Sequence, residues 1–161
     1  FSQYGGHSAS GGFAVSNEAI HHLDDHLNAA FDLLAKEDKV IDPDFIDMEL
    51  LLDDVNWNSY GSVEKLAPFG VGNKKPTFIF RDIKIVGIKE FGKEKNHLEL
   101  NFKKENGQGV NAMGFFMTAD QFKNKKGDTI KTADLIDLVA TMEKSMFRGR
   151  TELRLRIVDI L

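Results

Sequence analysis

The chain has 161 residues, 42% hydrophobic and 29% charged, with no cysteine and a formal net charge of −4. That composition can build a core but excludes a disulfide framework and a thiolate metal site. No apolar run approaches the roughly 20 residues of a membrane-crossing helix, since even residues 48–52 are broken by Glu49 and followed by Asp53 and Asp54.

A soluble, cytoplasmic piece is expected, and because it opens on Phe1, one cut from a longer protein. Divided after Asn73, the chain has an acidic part, with 3 Lys+Arg against 13 Asp+Glu, and a basic part, with 18 against 12. The second part is therefore the one suited to a polyanion, with a solvated basic surface as the plainer alternative.

In chain order, the four glycines of residues 4–12 predict a tight, backbone-defined loop. Ser16 offers an N-cap, and Ile20, Leu23, Leu27, Phe31 and Leu34 recur at spacings of three and four, predicting an amphipathic helix over 17–36. Alternation of acidic and apolar residues predicts a strand over 45–52, and a short helix is expected over 58–66. The Gly and Pro density of 67–73 marks a connector and a domain boundary. Beyond Pro76 come five strand-like runs, at 77–88, 97–104, 110–117, 135–144 and 151–160. Turns at Gly107-Gln108-Gly109 and Arg148-Gly149-Arg150 suit hairpins, and the polar insertion 119–126 suits a helical turn. Five strands with an insertion after the third match an oligonucleotide-binding (OB) barrel, a small unrelated five-stranded barrel being the alternative.

Several residues could carry chemistry. In Gly5-Gly6-His7, paired glycines let a backbone approach a phosphate, and the imidazole can donate to a phosphate oxygen. His22 and His26 are four apart and could share a helix face, but Ile20, Leu23 and Leu27 put the intervening residues on the wet side and no third ligand is indicated, so no metal site is assigned. Trp57, Tyr60, Met113, Met117, Met142 and Met146 are read as packing residues. Lys123, Lys125 and Lys126 are read as a solvated bump, with an extension of a nucleic-acid track as the alternative.

Gly5-Gly6-His7, with Ser10-Gly11-Gly12 where Ala-Ala-Gly is usual, resembles the GGH-x-x-A-A-G signature of the DHHA1 domain. Leu66-Ala67-Pro68-Phe69-Gly70-Val71-Gly72-Asn73, with Pro76 and Phe78, resembles the connector of RecJ-type exonucleases, and Phe147-Arg148-Gly149-Arg150 resembles the close of that family's OB domain. The resemblance implies an α+β, DHHA1-like part over 1–73 followed by an all-β, five-stranded OB barrel over 74–161. It implies a parent protein that is a 5′ to 3′ exonuclease specific for single-stranded DNA, acting in repair and recombination. Mn²⁺ or Mg²⁺ would be held by a DHH domain that this chain lacks, leaving the fragment inactive by itself. Oligoribonucleases and cyclic-dinucleotide phosphodiesterases of the same superfamily would share the glycine loop but not the OB domain.

On this reading Gly5, Gly6 and His7 lie against the substrate near the active site. Lys89, Phe91, Lys93 and Lys95, in the connection between the first two strands, and Phe147, Arg148 and Arg150, between the last two, bind nucleic acid. Cations there neutralise phosphates, and an exposed Phe stacks on any base. Phe91 and Phe147 are alternatively core plugs at strand ends. Partners implied are single-stranded DNA and the missing DHH domain. The rival function is protein docking, for instance of the acidic tail of a single-strand-binding protein.

Overall fold

The computed structural model describes residues 2–7, 10–34, 46–147 and 149–161. The chain divides into two compact units, Phe1–Ile41 and Asp42–Leu161.

In the first unit, β1 (Gln3–His7) and β2 (Ser10–Ala14) form an antiparallel hairpin. The expected loop is thus a two-stranded ladder in which Gly5 faces Gly12 and Gly6 faces Gly11. Gly6 is required sterically, because a Cβ there would collide with the carbonyl oxygen of Ser10, whereas one on Gly5 would meet nothing. The expected helix begins as a 3-10 turn, Ala19–His22, and continues as α1 (Leu23–Leu34). Ser16 Oγ accepts from the Ala19 amide at 3.2 Å, although the residue flanking the 3-10 turn is Glu18, two positions later than the expected cap. Lys36 lies outside the described residues.

The second unit is mostly β. Of the strand expected over 45–52 only β3 (Met48–Glu49) forms, because Asp54 accepts from the Leu51 amide at 2.9 Å and curls the chain into a 3-10 turn at Leu52–Asp54; Phe45 lies outside the described residues. Asn56 caps α2 (Trp57–Glu64), accepting from the amides of Asn58 and Ser59, each at 3.0 Å. The connector folds on itself. Gly70 and Asn73 bridge, and the Asn73 side-chain Nδ2 donates to the carbonyls of Leu66 and Pro68 at 2.7 and 3.0 Å.

The run expected over 77–88 is two strands, β4 (Phe78–Lys84) and β5 (Gly87–Phe91). A bulge between Phe80 and Ile83 bends the first, and Asp82 there has φ 51°. There follow β6 (His97–Lys103), β7 (Gly109–Phe115), the expected turn of the insertion at Ala119–Gln121, β8 (Leu135–Phe147) and β9 (Arg150–Ile160). The sheet order is β3-β4-β8-β9-β7-β6-β5, seven strands, with β3–β4 and β7–β9 parallel.

Alternation decides the core. Along β6 and β7 every second residue is buried, bringing Leu98, Leu100, Phe102, Val110 and Ala112 inward. These pack with Phe80, Ile85, Ile136, Leu138 and Leu155. Val55, Tyr60 and Val63 belong to the same cluster. Within residues 46–73, placed before the boundary on the charge pattern and the Gly and Pro density of 67–73, Val55, Tyr60 and Val63 thus share a core with the strands, and the second compact unit begins at Asp42. Met142 is fully buried and Met117 packs on the core, but Met146 is 76% exposed, correcting its reading as a packing residue. Tyr60 is buried, and Trp57, half exposed, meets it edge-on at 5.8 Å.

Candidate nucleic-acid interface

The sheet's outward residues form transverse rows, because register places odd-numbered residues of β5, β6 and β7 opposite one another. Successive rows lie two residues apart, about 7 Å. The first row holds Phe91, His97 and Phe115, whose rings meet at centroid distances of 5.2, 5.2 and 6.2 Å. The next holds Lys89, Glu99 and Met113, with Arg156 of β9 beside Met113. The third holds Gly87, Asn101 and Asn111.

Arg156 lays its guanidinium over the Phe115 ring at 4.0 Å, and Arg154 stands 5.9 Å from the same ring. The two differ in commitment. Arg154 pairs with Glu143 at 2.8 Å, whereas Arg156 has no ion pair among the described residues, so its charge is not neutralised by a described carboxylate. In the third row, Asn101 donates to Glu99 and Asn111, and Asn111 donates to Glu152. That half of the face is a self-satisfied amide and carboxylate ladder, so its cationic and aromatic half is the half suited to a nucleic-acid strand.

At the end of β7 stands Phe116, 77% exposed with φ 56°. A non-glycine residue in the left-handed region costs about 1–2 kcal/mol, and an exposed ring recovers little of that by burial. The Phe116 amide donates to His97 Nδ1 at 3.1 Å, and the two rings meet edge-on at 5.1 Å. The same Nδ1 lies 2.9 Å from the Asn96 carbonyl. One nitrogen cannot accept from Phe116 and donate to Asn96 in a single tautomer; the Nε2–H form keeps the Phe116 bond.

Among the residues singled out from sequence, Phe91 is half-buried within the ring cluster, joining that face instead of plugging the core, and Lys89 is exposed in the neighbouring row. Lys93 and Lys95 are exposed in the β5–β6 connection. Arg150 is exposed at the start of β9, near the level where β7 begins. Lys93 and Lys95 lie beyond the other end of β7, six residues away, or roughly 20 Å at about 3.4 Å per residue. The two basic loops thus bracket the sheet and do not adjoin. Gly5 and Gly6 are hairpin residues of the other unit. Arg148 and the side chains of His7 and Phe147 lie outside the described residues.

Sequence reading missed His97, Phe115, Phe116, Arg154 and Arg156. The signal for four of them was present: alternation along β6, β7 and β9 that turns Leu98, Leu100 and Leu155 inward turns their neighbours outward. Elsewhere, Lys125 is paired with Asp82 and Asp137, at 2.6 and 2.9 Å, so it is less available to an anion than a simple bump suggests. No group of three or more His, Asp or Glu among the described residues could hold a metal ion, and the rings of His22 and His26 stand 6.4 Å apart. No described helix is long and apolar enough to cross a membrane.

The model of the RecJ OB domain family matches residues 46–159. The chain is also similar to the single-stranded-DNA-specific exonuclease RecJ of Bacillus subtilis (strain 168), 24% identical over 156 residues. That match covers 97% of this chain and 19% of the relative, so the chain spans about a fifth of that protein's length. Among solved structures, RecJ of Thermus thermophilus is similar in its Mn²⁺ complex (18% identity, TM-score 0.49, 99% of this chain and 22% of that one) and in its Mg²⁺ complex (17%, 0.49, 98% and 22%). With the family model covering well over half of its length, the chain belongs to the RecJ OB domain family.

Proposed function

We propose that the second unit binds single-stranded nucleic acid across the outward face of β5, β6, β7 and β9, as the gripping part of a larger exonuclease specific for single strands. The observation that carries this reading is the Arg156 guanidinium stacked on Phe115 within the Phe91 and His97 cluster, uncommitted to any described carboxylate. A planar cation on a ring attracts phosphate through charge and a base through stacking, with no preference for sequence.

The fold reading that goes with it is a five-stranded OB barrel. Ile85 exchanges hydrogen bonds with the chain before β8, and Val86 donates to Asn101 of β6. Together β4 and β5 then act as one bent strand closing the sheet at both ends, in the order one-four-five-three-two-one. Lys93, Lys95 and Arg150, with Phe147 and Arg148, would hold the strand where it enters and leaves the face. The β1–β2 hairpin would be the DHHA1 glycine element, presenting Gly5, Gly6 and His7 to substrate beside a DHH domain.

Hydrolysis would belong to that domain, with Mn²⁺ or Mg²⁺ and 5′ to 3′ polarity in a cytoplasmic repair and recombination enzyme, since the described residues offer no group of three or more His, Asp or Glu to hold the metal. Titrating fluorescent oligo-dT against the chain at several salt concentrations tests the binding role. Binding that weakens steeply with salt and tolerates base changes supports it. Absent binding at low salt, with retention of an acidic-tailed protein, would replace it with docking.

A further inference from the structure

Two features of Phe116 are costly to the chain. Its backbone is held at φ 56°, where glycine would do the same turning without strain, and its ring is 77% exposed. What the chain does supply is support: with the imidazole in its Nε2–H form the Phe116 amide is held by His97 Nδ1, and the imidazole is itself packed against Phe91 and Phe115 at 5.2 Å each. A strained, exposed aromatic fixed beside an aromatic and cationic face is the geometry of a stacking platform.

We infer that Phe116 takes one unpaired nucleobase of the bound strand on its ring, with His97 as the positioning residue that fixes its backbone. The inference rests on the proposed reading of this face and adds a single-base subsite to it. An abasic oligonucleotide of equal length separates stacking from phosphate attraction, since it keeps the phosphates and lacks the bases.

The test compares the wild-type chain with Phe116→Gly, His97→Leu and His97→Asn, each titrated with oligo-dT and with the abasic strand, alongside thermal midpoints. Phe116→Gly is expected to leave the midpoint unchanged or raised, because strain is released, while oligo-dT affinity falls roughly 5- to 100-fold and abasic affinity holds. His97→Leu should lose oligo-dT affinity in the same selective way, and His97→Asn, which keeps an acceptor near Nδ1, should restore most of it. Equal losses for both strands, or none for oligo-dT, would overturn the Phe116 assignment while leaving the wider interface standing. Failure of the wild-type chain to bind oligo-dT at low salt would remove both.

Discussion

The ammonium of Lys104 lies 2.7 Å from the carbonyl oxygen of Val55 and is itself buried. Lys104 leaves the β6–β7 turn, and Val55 follows the turn at Leu52–Asp54, so one charge-assisted bond ties the segment before α2 to the sheet. Gln108 Oε1 at 3.4 Å gives the ammonium a second acceptor, and the Glu105 amide meets Asp53 at 3.3 Å beside it. Lys104→Met keeps the apolar stem but leaves the Val55 carbonyl without this donor. A loss of about 1–3 kcal/mol in denaturant unfolding is expected, with strand affinity per folded molecule unchanged.

Asp137 gathers three positive or donor groups. Burial alone would push its carboxyl up, but the Asp82 amide at 2.8 Å, Lys125 at 2.9 Å and Arg81 at 3.3 Å outweigh that and hold it below the ordinary carboxylate value. A depressed folded value means the contribution is fully present above about pH 4. It is lost as pH falls through the lower, folded value. Asp137→Asn should therefore unfold more easily at neutral pH, by about 1 kcal/mol given the exposed cations. It should also show a shallower loss of stability than wild type as the solution is acidified below pH 4, measured by urea midpoints across that range.

The core was legible because alternation is a strict period: in the runs over 97–104 and 110–117, Leu98, Leu100, Phe102, Val110 and Ala112 could face only one way once half the sheet was dry. The same period, applied to Arg154 and Arg156, places them on the outward face proposed to bind, although neither lies in a loop where binding residues are usually sought. Other features were not locally encoded. The break at Ile85 and Val86 depends on hydrogen bonds to Asp134 and Asn101, distant in sequence. The shortness of β3 depends on Asp54 outcompeting the sheet for the Leu51 amide. Phe116's left-handed backbone contradicts its residue type, and such contradictions show only in three dimensions.

Tyr60 supplies an alkaline counterpart. Its burial, then a hydrogen bond to Glu64 and the charges of Glu64 and Glu143, push the phenol up to about 12. A raised folded value means the hydroxyl's contribution is present below about pH 10 and lost as pH climbs toward the folded value. Tyr60→Phe removes the titration, so its unfolding midpoint between about pH 10 and 12 should fall less steeply than that of wild type. Parallel curves for the two proteins would mean Tyr60 is not the group responsible.

Arg156 offers the sharpest division between charge and shape at the proposed interface. Its guanidinium sits 4.0 Å over Phe115 without an ion pair among the described residues. Arg156→Ala removes both one phosphate contact and the stacked plane, so oligo-dT affinity should drop and the slope of log affinity against log salt should become shallower by about one unit. Arg156→Lys keeps the charge but cannot present a planar face; its slope should match wild type while its affinity falls several-fold. Arg150→Ala, at the opposite end of the sheet, should shallow the slope by about one unit only with oligonucleotides long enough to cover the roughly 20 Å between the basic loops. A length threshold for Arg150 and none for Arg156 is the pattern expected if a strand crosses this face from one loop to the other.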